Sequence, residues 1–69
     1  MKVSARNLIK GKVKKVEIGA VNAEVTIEIA PGVELTSIIT KPSAENLGIK
    51  EGGDAYALIK SSDVMIAID

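Results

Sequence analysis

The chain has 69 residues, with nine Lys and Arg against nine Asp and Glu, and it contains no Cys, His, Trp or Phe. This length fits one domain, residues 1–69. Without Cys and His there are no disulfides, no usual zinc, iron–sulfur or blue-copper ligands, and no histidine general base. Neither a signal peptide nor a membrane span is evident, so the sequence predicts a cytoplasmic protein with no membrane partner.

The apolar residues predict a small core. Of 32 apolar residues, 17 are Ile or Val and eight are Ala, while Tyr56 is the only aromatic residue. A domain near this size buries only about 60% of its unfolded surface, which leaves a lone subunit marginally stable. Since no disulfide or metal site is available to stabilise it, we expect the chain to bury surface against copies of itself in a homo-oligomer.

The first predicted elements are two strands joined as a hairpin. Apolar residues fall at every second position in residues 21–29, which is typical of a half-buried strand. The preceding strand, residues 8–18, alternates less regularly and breaks at Lys14-Lys15, which predicts a bulge. The short link Gly19-Ala20 between them favours a hairpin.

A turn, a third strand and a short helix follow. Pro31-Gly32 suits a type II turn, in which Gly takes the position of positive φ. The third strand is predicted over residues 34–40. Residues 43–48 then form a short helix, with Ser43 as its N-cap and Gly48 at its end.

Two more strands are predicted after the helix, over residues 55–59 and 64–68, with residues 60–63 connecting them. The resulting order, β-β-β-α-β-β, is that of the oligonucleotide/oligosaccharide-binding (OB) barrel. The predicted fold class is therefore all-β: a five-stranded OB-like barrel with one short helix between strands 3 and 4.

Three segments carry groups suited to an oxyanion. Residues 4–7 (Ser-Ala-Arg-Asn) precede the first strand and residues 60–62 (Lys-Ser-Ser) follow the fourth, so each places hydroxyls beside a cation. Thr40 and Ser43 lie at the helix start, where backbone N–H groups attract anions. The same residues also fit solvated polar loops, and Ser43 also fits a simple helix cap.

Other functions find less support. The four lysines Lys10, Lys12, Lys14 and Lys15 suggest nucleic acid, but a chain of zero net charge with one aromatic residue lacks the usual stacking platform. Serines without a histidine, and scattered carboxylates, give no catalytic arrangement, so we predict that the protein is not an enzyme.

The residues resemble those of one family, the molbindins or Mop domains. The resemblance covers nearly the whole chain and departs from the family pattern mainly at Ala55 and Tyr56. It is carried by Ser4-Ala5-Arg6-Asn7, Gly11, Gly19 with Val21-Asn22-Ala23-Glu24-Val25, Leu35-Thr36-Ser37 with Ile39-Thr40, Ser43-Ala44 with Leu47-Gly48, and Ala57-Leu58-Ile59-Lys60-Ser61-Ser62.

The resemblance implies subunits that exchange a strand within a dimer, a hexamer built as a trimer of dimers, and molybdate, with tungstate as its analogue, bound between subunits. No residue is implied as a direct ligand to a metal cation. The implied site takes Ser4, Arg6, Lys60 and Ser61 from one subunit, and Thr40, Ser43 and the amide of Ala44 from a neighbour. A second anion site is placed at Gly19, Val21, Asn22 and Ala23.

Molybdate suits a pocket of hydrogen-bond donors because the ion is fully deprotonated at neutral pH, although sulfate meets the same condition. The family also occurs doubled, or fused to a DNA-binding regulator or a transporter ATPase. A single copy of 69 residues favours storage and homeostasis of molybdenum. The alternatives are a carrier of a molybdenum-pterin cofactor and a module that binds single-stranded nucleic acid.

Overall fold

The computed structural model describes all 69 residues and contains one antiparallel sheet of four strands. The elements are β1 (Asn7–Ile18), β2 (Asn22–Ala30), β3 (Val33–Thr40), α1 (Lys41–Leu47), β4 (Asp54–Ile59) and the 3₁₀ turn Ser61–Asp63. The order of the strands in the sheet is β3-β2-β1-β4, and the helix joins β3 to β4, as predicted. The all-β class is confirmed.

The hairpin of β1 and β2 matches the predicted pattern. The register between the strands shifts between Val13 and Lys15, where the sequence predicted a bulge. The alternate residues Ala23, Val25 and Ile27 of β2 are buried. Two peptide N–H groups hold the connection between the strands: that of Gly19 donates to the Asn22 carbonyl, and that of Lys41 donates to the carbonyl of residue 21.

The sheet curls into a half-barrel around a small core. Leu35 of the edge strand β3 and Tyr56 of the other edge strand β4 line the same apolar groove, although two strands separate them in the sheet. Only five of the 69 residues are buried, which confirms the small core. They are Val13, Ala23, Val25, Ile27 and Ala44.

Helix α1 begins two residues earlier than the sequence predicted, and its cap is different. Thr40, not Ser43, is the N-cap: its Oγ1 accepts the Ser43 N–H at 3.1 Å and donates to Ser43 Oγ at 2.8 Å. The reason is that Pro42 fits the first helical turn, where no N–H is needed, so Lys41 and Pro42 join the helix. Gly48 ends the helix at φ 64°, as predicted. The seven residues of α1 are too few to cross a membrane.

We expect Thr40→Ala to lower the free energy of unfolding by about 1 kcal/mol, because the Ser43 N–H then loses its acceptor. Thr40→Ser keeps the hydroxyl and should retain most of the wild-type stability. Urea unfolding at one protein concentration measures both. Equal stability of the Ala and Ser variants would contradict the cap.

Residues 64–69 form no strand in the single chain. Their apolar side chains project into solvent: Met65 and Ile68 are each 92% exposed and Ile66 is 85% exposed. The structure thus has four strands where five were predicted, because residues 64–68 find no neighbouring strand within their own chain. The fifth strand and its exchange within a dimer stay predictions for the assembled protein.

Candidate oxyanion site

The two cation-bearing segments meet at one end of the sheet. Strands β1 and β4 pair antiparallel with Asn7 opposite Ile59, so Arg6, one residue before, and Lys60, one residue after, lie side by side. They share a surface pocket whose lining residues are Ser4, Ala5, Arg6, Leu58, Lys60, Ser61 and Ser62. Four of the seven residues predicted for the main site therefore come together. Ser62 lines the pocket too, although it was not among the predicted site residues.

The 3₁₀ turn at residues 61–63 positions the two serines. The Asp63 N–H donates to the Lys60 carbonyl at 2.8 Å, and the Val64 N–H donates to the Ser61 carbonyl at 3.3 Å. These bonds fold the chain back directly after β4, so that Ser61 and Ser62 both line the pocket beside Lys60. The pocket thus combines two serine hydroxyls from this turn with two cationic groups.

The positive charge of this pocket is not neutralised within the chain. The three ion pairs of the structure use Lys12, Lys14 and Lys15, and none involves Arg6 or Lys60. No carboxylate lines the pocket. Two neighbouring cations without a partner favour a ligand that carries two negative charges and accepts hydrogen bonds.

Three of the four lysines of β1 are instead paired with carboxylates. Lys12 lies 2.6 Å from Asp54 across the β1–β4 pair and, through a hydrogen bond and its charge, holds the pKa of that carboxyl below its usual value. Lys15 lies 2.9 Å from Glu17, whose hydrogen bond and charge raise the lysine pKa. These pairs reduce the positive charge that strand β1 offers to a phosphate backbone.

The remaining three predicted residues lie at the other end of the sheet. Thr40, the last residue of β3, pairs with Asn22 at the end where β1 finishes, whereas Arg6 lies where the 12 residues of β1 begin. Ser43 and Ala44 follow in α1. The bond from Thr40 to Ser43 Oγ leaves the Ser43 proton free for another acceptor. Within one chain these groups do not reach the pocket of Arg6 and Lys60.

The predicted second anion site has a different character. Gly19 and Asn22 line a separate pocket, in which the other polar groups are the carboxylates of Glu17 and Glu24. Val21, which is 71% exposed, and Ala23, which is fully buried, do not line this pocket. No cation lines it either, and an anion there requires main-chain donors or charge from another chain. The pairing of Glu17 with Glu24 was missed from the sequence, because the turn between the strands spans residues 19–22 and not Gly19-Ala20 alone.

A family model described as the TOBE domain matches residues 3–66. The chain belongs to the TOBE domain family. Molybdenum-pterin-binding protein 3 of Clostridium pasteurianum is 58% identical over 66 residues, which are 96% of this chain and 97% of that protein. The resemblance to the molbindins predicted from the sequence is confirmed.

Two solved structures support the same relationship. MopII from Clostridium pasteurianum has a TM-score of 0.90 and 52% identity, covering 97% of this chain and all of that one. The cytoplasmic molybdate-binding protein ModG, solved with molybdate bound, has a TM-score of 0.88 and 49% identity, covering 94% of this chain and 46% of ModG. Residues Ser4 to Ser62 of the pocket described above lie within the matched family region.

Proposed function

We propose that this protein binds molybdate, or its analogue tungstate, in the pocket of Arg6 and Lys60. The observation that carries the proposal is the composition of that pocket: two unpaired cations, two serine hydroxyls from the 3₁₀ turn and no carboxylate. Burial of a doubly charged anion is costly unless charges and donors converge on it. Arg6 and Lys60 together match the charge of the ion, and molybdate-binding ModG supports the choice of anion.

The proposed site is completed by a neighbouring copy of the chain. Its Thr40, Ser43 and Ala44 amide would supply the donors that lie too far away within one chain. Exposed apolar side chains such as Met65, Ile66 and Ile68 support an assembly that covers them. We assign the assembly as a homohexamer, a trimer of dimers that exchange the strand of residues 64–68.

The proposed role is storage and homeostasis of molybdenum in the cytoplasm, without catalysis. Support for the compartment comes from ModG, which is cytoplasmic. Support for binding without catalysis comes from the pocket, which holds donors and cations but no general base or activated nucleophile.

Calorimetric titration tests the proposal. Molybdate and tungstate are expected to bind with measurable heat, and phosphate is expected to bind more weakly because its retained proton finds no carboxylate acceptor in the pocket. Sulfate serves as the comparison for ion size. Sedimentation of the same samples should show an oligomer. No heat with molybdate or tungstate at millimolar concentration would refute the proposed function.

A second candidate is a carrier of a molybdenum-pterin cofactor, which the name of the Clostridium pasteurianum relative favours. The apolar groove between the sheet edges, lined by Leu35, Tyr56 and Leu58, offers a surface on which a flat heterocycle could stack. Pterin fluorescence and molybdenum content of the purified protein separate the candidates. Molybdenum with an equal amount of pterin would favour the carrier, and molybdenum alone would favour the oxyanion site.

A further inference from the structure

Asn7 lies between the two cationic parts of the proposed pocket. Its side chain sits on the inner face of β1, where the alternation of half-buried and exposed residues continues through Ile9, Gly11 and Val13. An apolar residue would be expected at such a position. Asn7 is therefore the polar exception on this face. The hydrogen bond that its side chain makes to Ile59 explains why a polar residue is present there.

The Asn7 carboxamide makes the one hydrogen bond from a side chain to a distant part of the chain. Asn7 Nδ2 donates to the carbonyl oxygen of Ile59 at 3.2 Å, across a separation of 52 residues. The other two side-chain hydrogen bonds are the local ones of the Thr40 cap. The Ile59 carbonyl and the Lys60 nitrogen belong to the same planar peptide group. The hydrogen bond therefore helps to fix the orientation of the peptide plane that precedes the Lys60 side chain.

The segment that carries Arg6 depends on the same residue. No backbone hydrogen bond joins Ser4, Ala5 or Arg6 to the rest of the chain, so Asn7 is the first anchored residue after them. On the other side, the Lys60 carbonyl accepts the Asp63 N–H and so holds the turn that presents Ser61. The Asn7 side chain thus adds a second connection between the Arg6 segment and the Lys60 turn, beside the strand pairing of Asn7 with Ile59.

We infer that Asn7 is a positioning residue of the oxyanion pocket, holding Arg6 and Lys60 at the separation that the ion requires. The inference rests on the proposed function and adds to it a residue that does not line the pocket. A site binds more tightly when supporting residues hold its charged groups in place before the ligand arrives. In metal sites, replacing a residue that orients the ligands commonly changes metal affinity about 10–100-fold, and we expect an effect of that kind for the anion.

The test compares Asn7→Leu, which keeps the size but removes the donor, with Thr26→Val, an equally conservative loss of a polar group on β2 away from the pocket. Asn7→Leu is expected to weaken molybdate binding about tenfold in calorimetry. Its thermal midpoint should shift no more than that of Thr26→Val. Asn7→Gln keeps a carboxamide donor and should bind more tightly than Asn7→Leu.

A second readout does not need molybdate. The amide nitrogen resonance of Lys60 should shift in Asn7→Leu and stay in place in Thr26→Val, because only the former removes the side-chain donor from the Ile59 carbonyl. If wild-type protein fails to bind molybdate, the proposed function fails, and this resonance alone decides whether Asn7 orients the Lys60 peptide. Wild-type affinity or an unshifted Lys60 resonance in Asn7→Leu overturns the inference. Should Asn7→Leu not fold, Asn7→Ser replaces it with the same expected results.

Discussion

Lys60→Ala is expected to weaken molybdate binding by about a hundredfold, which corresponds to roughly 2.7 kcal/mol. The reason is that the ion would keep its two negative charges in a pocket left with one cation, Arg6. The fold should survive, since the Lys60 side chain is exposed and takes part in no ion pair. Calorimetry with molybdate measures the loss, and circular dichroism checks the fold.

Arg6→Ala is expected to cause a comparable loss, and Arg6→Lys a smaller one, because Lys keeps the charge but not the planar fork of donors. Lys50→Ala is the matched control: it removes one exposed, unpaired cation from another part of the chain. An equal loss in Lys50→Ala would mean that net charge, not the pocket, governs affinity. If Arg6→Ala and Lys60→Ala both bind molybdate with wild-type affinity, the assignment of the site to this pocket is refuted.

Local patterns predicted most of the strands. The alternation in residues 21–29 gave β2, starting at Asn22, because a half-buried strand must place apolar side chains on one face only. The interruption at Lys14-Lys15 gave the shift of register between Val13 and Lys15. Each of these features depends on residues that are neighbours along the chain, and that is why the sequence alone was sufficient to predict them.

Ser43 was predicted from the sequence as the helix cap, and the structure has Thr40, which competes with Ser43 for that role. Thr40 and Ser43 are both good N-cap residues, and the choice between them depends on whether Lys41 and Pro42 join the helix. Proline suits a first helical turn, but it also disfavours helical backbone in the residue before it, here Lys41. The structure resolves the competition in favour of Thr40 because its hydroxyl both accepts from and donates to Ser43.

The site depends on contacts that no local pattern encodes. Arg6 and Lys60 were singled out by residue type and assigned to one site by the family resemblance, whereas the pairing of β1 with β4 shows how the fold brings them together. The role of Asn7 was missed because its partner lies 52 residues away. Residues 64–68 have the composition of a strand, but a strand needs a neighbour, and within one chain there is none.

Gly11→Ala is expected to destabilise the protein by about 2 kcal/mol or more, because there is no room for a side chain at this position. A Cβ on residue 11 would lie 2.5 Å from Ile27 Cγ2 and 2.6 Å from the Glu28 carbonyl oxygen. The second contact is with backbone, so relief requires that β1 and β2 move apart. This cost exceeds the gain in stability of roughly 0.5–1 kcal/mol that replacing Gly by Ala within a strand typically gives through the lower entropy of the unfolded chain.

The matched control is Gly32→Ala in the turn after β2. No atom lies within 4 Å of a Cβ there, but φ is +74°, so the cost is one of backbone conformation alone, about 1–2 kcal/mol. Urea unfolding of wild type and both variants at one protein concentration compares the two mechanisms, since the stability of an oligomer depends on concentration. A Gly11→Ala variant as stable as wild type would contradict the close approach.

The position of Gly11 explains why β1 requires a residue without a side chain there. Residues 7–12 of β1 pair with β4 and residues 12–18 pair with β2, so the strand changes partners just after Gly11. At that point the backbone of β2 at Glu28 lies close to Gly11, and a glycine in a strand commonly marks such a close approach or a sharp bend of the sheet. A side chain at residue 11 would push the strands apart and flatten the curl of the sheet. Since Arg6 and Lys60 lie at one end of the β1–β4 pair, we expect Gly11→Ala to weaken molybdate binding as well as stability, whereas Gly32→Ala should affect stability alone.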